Sequence, residues 1–330
     1  MKRILLLTIL LAPLLLTACG ERPASDGPGT TAGEATGPTA TADEPEAVIG
    51  VSVLTMTNPF FVDLADAMVQ QGAKHNYRVE VTTGELNVAT QMTQVNEFIV
   101  KQVDAIVLCP CDSKAIGTSI AAANKAGIPV FTADIACLAD DVEVVCHVAT
   151  DNYGGGKLAG QTMVELLGGV GKVAIIDYPE IESVILRTKG FREVVEKIPG
   201  MEIVGAWPGQ GDRAVAAKEA EGVLQQHPDL DAFFAINDPT GVGVAIALKE
   251  AGKADRIKII AFDAQPMGRR AVKNGEIYAT IVQYPRKIGA TVIDAVARYM
   301  NAEELEKEIL IPCSVYRKED ADKDPTLKEE

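Results

Sequence analysis

From Val48 onward the chain alternates short, β-branched apolar runs with amphipathic segments, and this alternation restricts its possible folds more than any single motif. The strand candidates are Val48–Leu54, Arg78–Thr83, Ala105–Leu108, Pro129–Ala133, Val144–Ala149, Lys172–Asp177, Glu202–Ala206, Ala232–Ile236, Lys258–Phe262 and Tyr278–Val282. Runs as apolar as VIGVSVL suit burial on both faces, which a parallel sheet covered by helices provides. Between them, Met92, Val95 and Ile99, or Leu158, Met163 and Leu167, recur at helical spacing. The pattern predicts an α/β protein with parallel sheets. Ten strands between about Glu46 and Arg317 exceed one comfortable sheet and suit two lobes with a cleft between them. The break falls in Thr150–Gly156, a polar, glycine-rich stretch. Its glycines lack the spacing of a phosphate-binding loop, so it reads as a hinge followed by a helix start.

The stretch after the first strand carries the first functional signal. Asn58-Pro59 marks a turn with proline at a helix start, and Phe61, Leu64, Ala65 and Met68 follow at helical spacing. In open α/β sheets, groups just beyond the carboxyl end of a strand face the ligand crevice, so Thr55 to Phe61 is expected to form one cleft wall.

The ends of the chain read differently. Lys2 and Arg3 precede an apolar run, Ile4 to Leu16, too short to span a membrane, so residues 1–18 read as an export signal. Leu16-Thr17-Ala18-Cys19 resembles the bacterial lipobox, which implies cleavage before Cys19 and lipidation of its thiol. Residues 19–45 are rich in Gly, Pro, Ala, Thr and Ser and read as a flexible tether. The charged segment 318–330 is expected to fray. A formal charge of -15 argues against nucleic acid as a partner. Five cysteines remain beyond Cys19, and Cys137 with Cys146 closes a short loop, making that pair a disulfide candidate. His75, His147 and His227 sit in no ligand-like spacing, and no metal or cofactor is expected.

Seven motifs in order, TMTNPFF (Thr55–Phe61), CPCDSKAIG (Cys109–Gly117), ATDNYGGGKLAG (Ala149–Gly160), RTKGF (Arg187–Phe191), FAINDPTGVGVA (Phe234–Ala245), IIAFDAQP (Ile259–Pro266) and ATIVQYPRKIG (Ala279–Gly289), resemble the ribose-binding family of periplasmic sugar-binding proteins. That resemblance implies the type I periplasmic binding protein fold: two Rossmann-like lobes with parallel sheets, joined by a three-strand hinge. The first lobe would comprise 46–150 plus 283–312, the second 151–282 plus 313–317. Carried across residue by residue, Asn58, Phe60, Phe61 and Asp134 would serve the ligand from the first lobe. Arg187, Asn237, Phe262 and Asp263 would serve it from the second, and Gln283 from a crossover. The chemistry is coherent on its own terms: carboxylates accept from hydroxyls, arginine donates, amides do both, and rings cover C–H faces. Plainer alternatives stay open, with Asp151 and Asp238 as helix caps and Arg187 as a surface ion pair.

Four positions depart from ribose recognition. Cys109 stands where the ribose receptor has asparagine, Ile135 where it has arginine, Leu54 where it has serine and Gly211 where it has phenylalanine. Ligand groups left unpaired in a closed cleft cost about 1–3 kcal/mol each, which argues against ribose in the usual pose. Cys109 and Ile135 are expected to line a more apolar pocket, and Trp207, taken to follow its strand, to supply the ring Gly211 lacks. The expected function is an extracytoplasmic, membrane-anchored lipoprotein, a monomer, that closes on a monosaccharide, sugar alcohol or similar small polyol. It would deliver this ligand to an ABC permease and its ATPase. The alternative is a receptor for a non-sugar signalling ligand feeding a sensor or chemoreceptor. Catalysis is not expected, because no nucleophile and histidine accompany Asp134 and Asp263.

Overall fold

A computed structural model describes residues 45–327. The expected signal peptide, Cys19 and nearly all of the expected tether lie outside these residues. Among the described residues no helix is long and apolar enough to cross a membrane.

The first part of the chain runs β1 (Ala47–Val53), α1 (Pro59–Lys74), β2 (Tyr77–Thr83), α2 (Val88–Lys101), β3 (Ala105–Leu108), α3 (Gly117–Lys125), β4 (Val130–Ala133) and β5 (His147–Thr150). It continues through α4 (Asn152–Leu167), β6 (Val170–Asp177), α5 (Glu182–Val195), β7 (Gly200–Pro208), α6 (Arg213–Gln226), β8 (Ala232–Ala235), α7 (Asp238–Glu250), β9 (Lys258–Asp263), α8 (Pro266–Asn274) and β10 (Ala279–Val282). Helix α9 (Pro285–Met300), β11 (Glu308–Ile311), β12 (Ser314–Arg317) and the short α10 (Lys318–Ala321) complete it.

The strands form two six-stranded sheets, in the orders β11-β5-β4-β3-β1-β2 and β12-β10-β9-β8-β6-β7. Among the described residues every strand pairing is parallel except β10 with β12. The four residues of β3, β4, β5, β8 and β10 are buried throughout, as expected of strands covered on both faces. In each sheet the order reverses beside one strand, β1 in the first and β6 in the second. Such reversals open a crevice at the carboxyl ends of the strands.

Three expectations change here. The ten strand candidates are all present, but β11 and β12 escaped notice because four residues, EILI and SVYR, carry too little periodicity to register. The segment after Arg317 is not frayed as far as Leu327. Ala321 and Leu327 are buried, the Tyr316 hydroxyl donates to Asp324 at 2.8 Å, and Lys273 Nζ donates to the Leu327 carbonyl at 2.7 Å. Cys137 and Cys146 are free thiols: Cys137 Sγ accepts from the Ala139 N–H at 3.4 Å, and the Cys146 thiol donates to the His147 carbonyl.

The glycine-rich break is the first turn of α4, capped by Asp151, whose Oδ1 accepts from the Gly154 N–H at 2.8 Å. Its glycines let α4 and α5 touch backbone to backbone. A Cβ on Gly156 would fall 2.1 Å from the Arg187 carbonyl oxygen, and one on Gly190 would fall 2.2 Å from that of Tyr153. Neither contact can yield, because both obstacles are main chain. Gly156→Ala should therefore push α5 away and destabilise the protein by about 1–3 kcal/mol, the usual cost of overpacking. Chemical denaturation checks this, and an unchanged midpoint would refute the close-packing account.

Candidate functional site

A cavity of about 310 Å³ lies between the two sheets' carboxyl ends and is lined from both lobes. From the β1 side, Asn58 caps α1, its Oδ1 accepting from the Phe60 N–H at 3.0 Å, and Pro59 begins the helix. This turn presents Phe60 and Phe61 edge to face, with centroids 5.1 Å apart. Asp134 follows β4 in the left-handed region at φ 64, with its N–H donating to the Val148 carbonyl at 2.9 Å. That twist lifts a buried carboxyl into the cavity, and Oδ1 has no partner among the described residues.

From the other lobe comes Arg187 on α5, only 4% exposed and so not a surface ion pair. Its Nε donates to Asn152 Oδ1 and its Nη1 to the Ile236 carbonyl, both at 2.8 Å, and Nη1 lies 3.6 Å from Asp263 Oδ1. Asp263, at φ 105, also accepts from Gln283 Nε2 at 2.6 Å. Gln283 Oε1, like Asp134 Oδ1, is buried without a partner among the described residues. Asn237 caps α7 through Oδ1, which accepts from the Thr240 N–H at 2.9 Å, while Nδ2 leans toward the Gly211 carbonyl at 3.4 Å.

Nine of the twelve expected ligand residues line this one cavity: Asn58, Phe60, Phe61, Asp134, Ile135, Arg187, Asn237, Asp263 and Gln283. Three do not. Phe262 is fully buried, with the Arg187 guanidinium 4.0 Å above its ring, so it supports the arginine from below. Cys109 is fully buried, its N–H donating to the Ser52 carbonyl and its own carbonyl accepting from Gln91 Nε2. Trp207 falls inside β7, which extends to Pro208 instead of ending at Ala206. Its indole folds back over Gly205, where an added Cβ would meet the ring at 2.7 Å, and meets His227 edge to face at 5.8 Å.

Tyr178 was missed. It follows β6 at that sheet's point of reversal, the counterpart of Leu54 and Thr55 after β1, and it lines the cavity. A Cβ on Gly211 would stand 3.7 Å from its ring, so Tyr178 occupies the neighbourhood that Trp207 was expected to fill. The reversal rule applied to both lobes is the signal that could have found it.

Burial dominates the electrostatics of the site. Burial pushes the Asp134 carboxyl up to about 7, opposed by Arg187 and reinforced by Asp263 and Glu182. Burial also raises Asp263, to about 6, with Arg187, Gln283 and the Asn58 side chain tempering the rise. Asp238 lies behind the cavity wall, where Thr280 Oγ1 and the Gln265 N–H bond its two oxygens and burial holds it well above the carboxylate range. The described residues contain no cluster of metal-ligating side chains.

Two α/β lobes around a cavity edged with hydrogen-bonding side chains and aromatic rings define a two-lobed binding protein. The chain belongs to the periplasmic binding protein family, since residues 49–304 match the model of the periplasmic binding protein domain. This is a family of solute-binding proteins, not of enzymes. The chain is 33% identical to the ribose import binding protein of Salmonella typhimurium over 259 residues, 78% of this chain and 86% of that one. It is 30% identical to that of Bacillus subtilis over 316 residues, 96% of this chain and 99% of the other. Among solved structures, an ABC transporter solute binding protein from Bacillus halodurans with bound myo-inositol superposes with a TM-score of 0.78 at 29% identity. The match covers 86% of this chain and 98% of that one.

The raised carboxyls make a signed pH prediction. The folded protein keeps protons on Asp134 and Asp263 that the unfolded chain, near the ordinary 3.8, has already released. Their stabilising contribution is therefore full below about pH 4 and is lost as pH rises toward 7. Asp134→Asn should flatten that decline in the ligand-free protein. Melting temperature against pH for both proteins tests this, and parallel profiles would show that Asp134 does not titrate as described.

Proposed function

We propose that the protein captures a monosaccharide, sugar alcohol or similar small polyol in this cavity and presents it to an ABC importer. One observation carries the reading: Asp134 Oδ1 and Gln283 Oε1 are buried at the cavity without a hydrogen-bond partner among the described residues. A polar atom buried unpaired costs about 1–3 kcal/mol, and a ligand rich in hydroxyls would recover it from both lobes at once. With Nε and Nη1 of Arg187 committed to the protein, Nη2 remains as a donor to the ligand. Phe60 and Phe61 cover its C–H faces. The ribose import binding proteins and the structure holding myo-inositol, similar over most of this chain, support the same class of ligand.

Membership of a periplasmic binding protein family supports an extracytoplasmic location. The signal peptide over residues 1–18 and a lipid on Cys19 complete the proposal, with the permease and its ATPase as partners and a monomer as the working unit. Cys19→Ala should move the protein from the membrane to the soluble fraction.

A thermal-shift screen over pentoses, hexoses, polyols and sugar acids identifies the ligand, because a ligand well above its dissociation constant raises the melting temperature. With that ligand, Arg187→Ala should weaken binding by about 100-fold or more, as expected when a buried hydrogen-bonded charge is truncated. Trp207→Ala should leave affinity unchanged. Wild-type affinity in the Arg187 variant would sink the site assignment, and no response to any carbohydrate would sink the sugar reading.

A further inference from the structure

The cavity has two unlike sides. One is a connected set of hydrogen-bonding groups, in which Gln283 and Arg187 meet at Asp263 and Arg187 reaches the carbonyl next to Asn237. The other is built from Leu54, Leu86, Ile135, Tyr178, Ile181 and Val184. Of these, Leu54, Ile135, Ile181 and Val184 belong to one continuous apolar cluster that also holds Phe60 and Phe61, with Tyr178 packed against it.

This apolar side has little main chain to offer a ligand. The Leu54 carbonyl already accepts from the Leu86 N–H at 3.0 Å and from the Cys111 thiol. The Ile135 N–H donates to the Ala133 carbonyl at 2.7 Å, and the Ile181 N–H donates to the Tyr178 carbonyl at 3.3 Å. The Ile181 carbonyl accepts from the Val184 and Ile185 N–H groups, and the Gly211 carbonyl is approached by Asn237 Nδ2. The orphaned acceptors Asp134 Oδ1 and Gln283 Oε1 come from none of these residues. Tyr178 and Ser183 also line the cavity, but a ligand hydroxyl seated directly against the Leu54, Ile135 and Ile181 side chains would lose its water and gain no partner from those three residues. A methyl or methylene group there would lose nothing.

We propose that the site selects a polyol lacking one hydroxyl, a deoxy sugar whose CH3 or CH2 carbon is seated against Leu54, Ile135 and Ile181. The inference rests on the sugar-binding reading above and narrows it. It differs from a general preference for small polyols in assigning the missing hydroxyl to a named wall.

Calorimetric titration of the purified protein with matched pairs provides the test: L-fucose with L-galactose, L-rhamnose with L-mannose, 6-deoxy-D-glucose with D-glucose, and 2-deoxy-D-ribose with D-ribose. In the pair that binds, the deoxy member should be tighter by about 10- to 100-fold, the range in which an apolar pocket discriminates against an added hydroxyl. Leu54→Ser, which supplies a hydroxyl to the wall, should bring that ratio toward one. Equal or tighter binding of the fully hydroxylated member overturns the inference and leaves sugar binding intact. An unchanged ratio in a folded Leu54→Ser protein overturns the seat. Should that variant fail to fold, the wild-type ratio decides alone. Binding of no member of any pair, in a protein that also responds to no other carbohydrate, removes the sugar reading and this inference together.

Discussion

The buried guanidinium of Arg187 is the group on which the site depends. An arginine 4% exposed has given up most of its hydration, a cost that only close, directed partners can offset. It has them: the Asn152 amide, the Ile236 carbonyl, the Asp263 carboxyl and the face of Phe262. These partners come from three elements, α4, the end of β8 and β9, so fixing the arginine ties those elements together at the cavity. The glycines of α4 are part of this arrangement, because only their missing side chains let α5 come close enough for Arg187 to reach Asn152.

The same cation acts across the cleft. It lowers the Asp134 carboxyl of the first lobe, against the larger effect of burial. The start of α5 is itself gripped from that lobe, where Ser113 Oγ accepts from the Glu182 N–H at 2.9 Å and the Ser113 N–H donates to the Glu180 carbonyl at 3.3 Å. Contacts of Ser113 with the start of α5 thus accompany the pull of Arg187 on Asp134 across the cavity. The Asp134 Oδ1 and Gln283 Oε1 atoms left unpaired between them face the cavity.

Much of this was legible in the sequence, for a physical reason. Residues that follow a strand in an α/β sheet face the crevice, which placed the stretch Thr55–Phe61, while the resemblance to sugar-binding proteins supplied the roles of Asn58, Phe60, Phe61, Asp134, Asn237 and Asp263. Trp207 could not, because its role turned on where β7 stops. Two more residues of strand fold the indole onto Gly205 and His227. Phe262 adjoins Asp263, yet neighbouring side chains at a strand end point to opposite sides of the backbone, and Cys109, just past β3, is buried with its main chain bonded to Ser52 and Gln91. Tyr178 lacked a neighbouring motif to draw attention to it, although its place after β6 matches that of Leu54 after β1.

The sequence by itself determined the two-lobed α/β architecture and most of the polar residues of the cavity, because apolar alternation and turn chemistry act over a few neighbouring residues. Only the tertiary structure decided which rings line the cavity, that Cys137 and Cys146 stay apart, and that the chain beyond Arg317 docks against α8. It also decided that the wall of Leu54, Ile135 and Ile181 has already spent its backbone hydrogen bonds. Those outcomes depend on strand register and on partners distant in the chain, and no local pattern of residues encodes which of its groups a remote segment will satisfy.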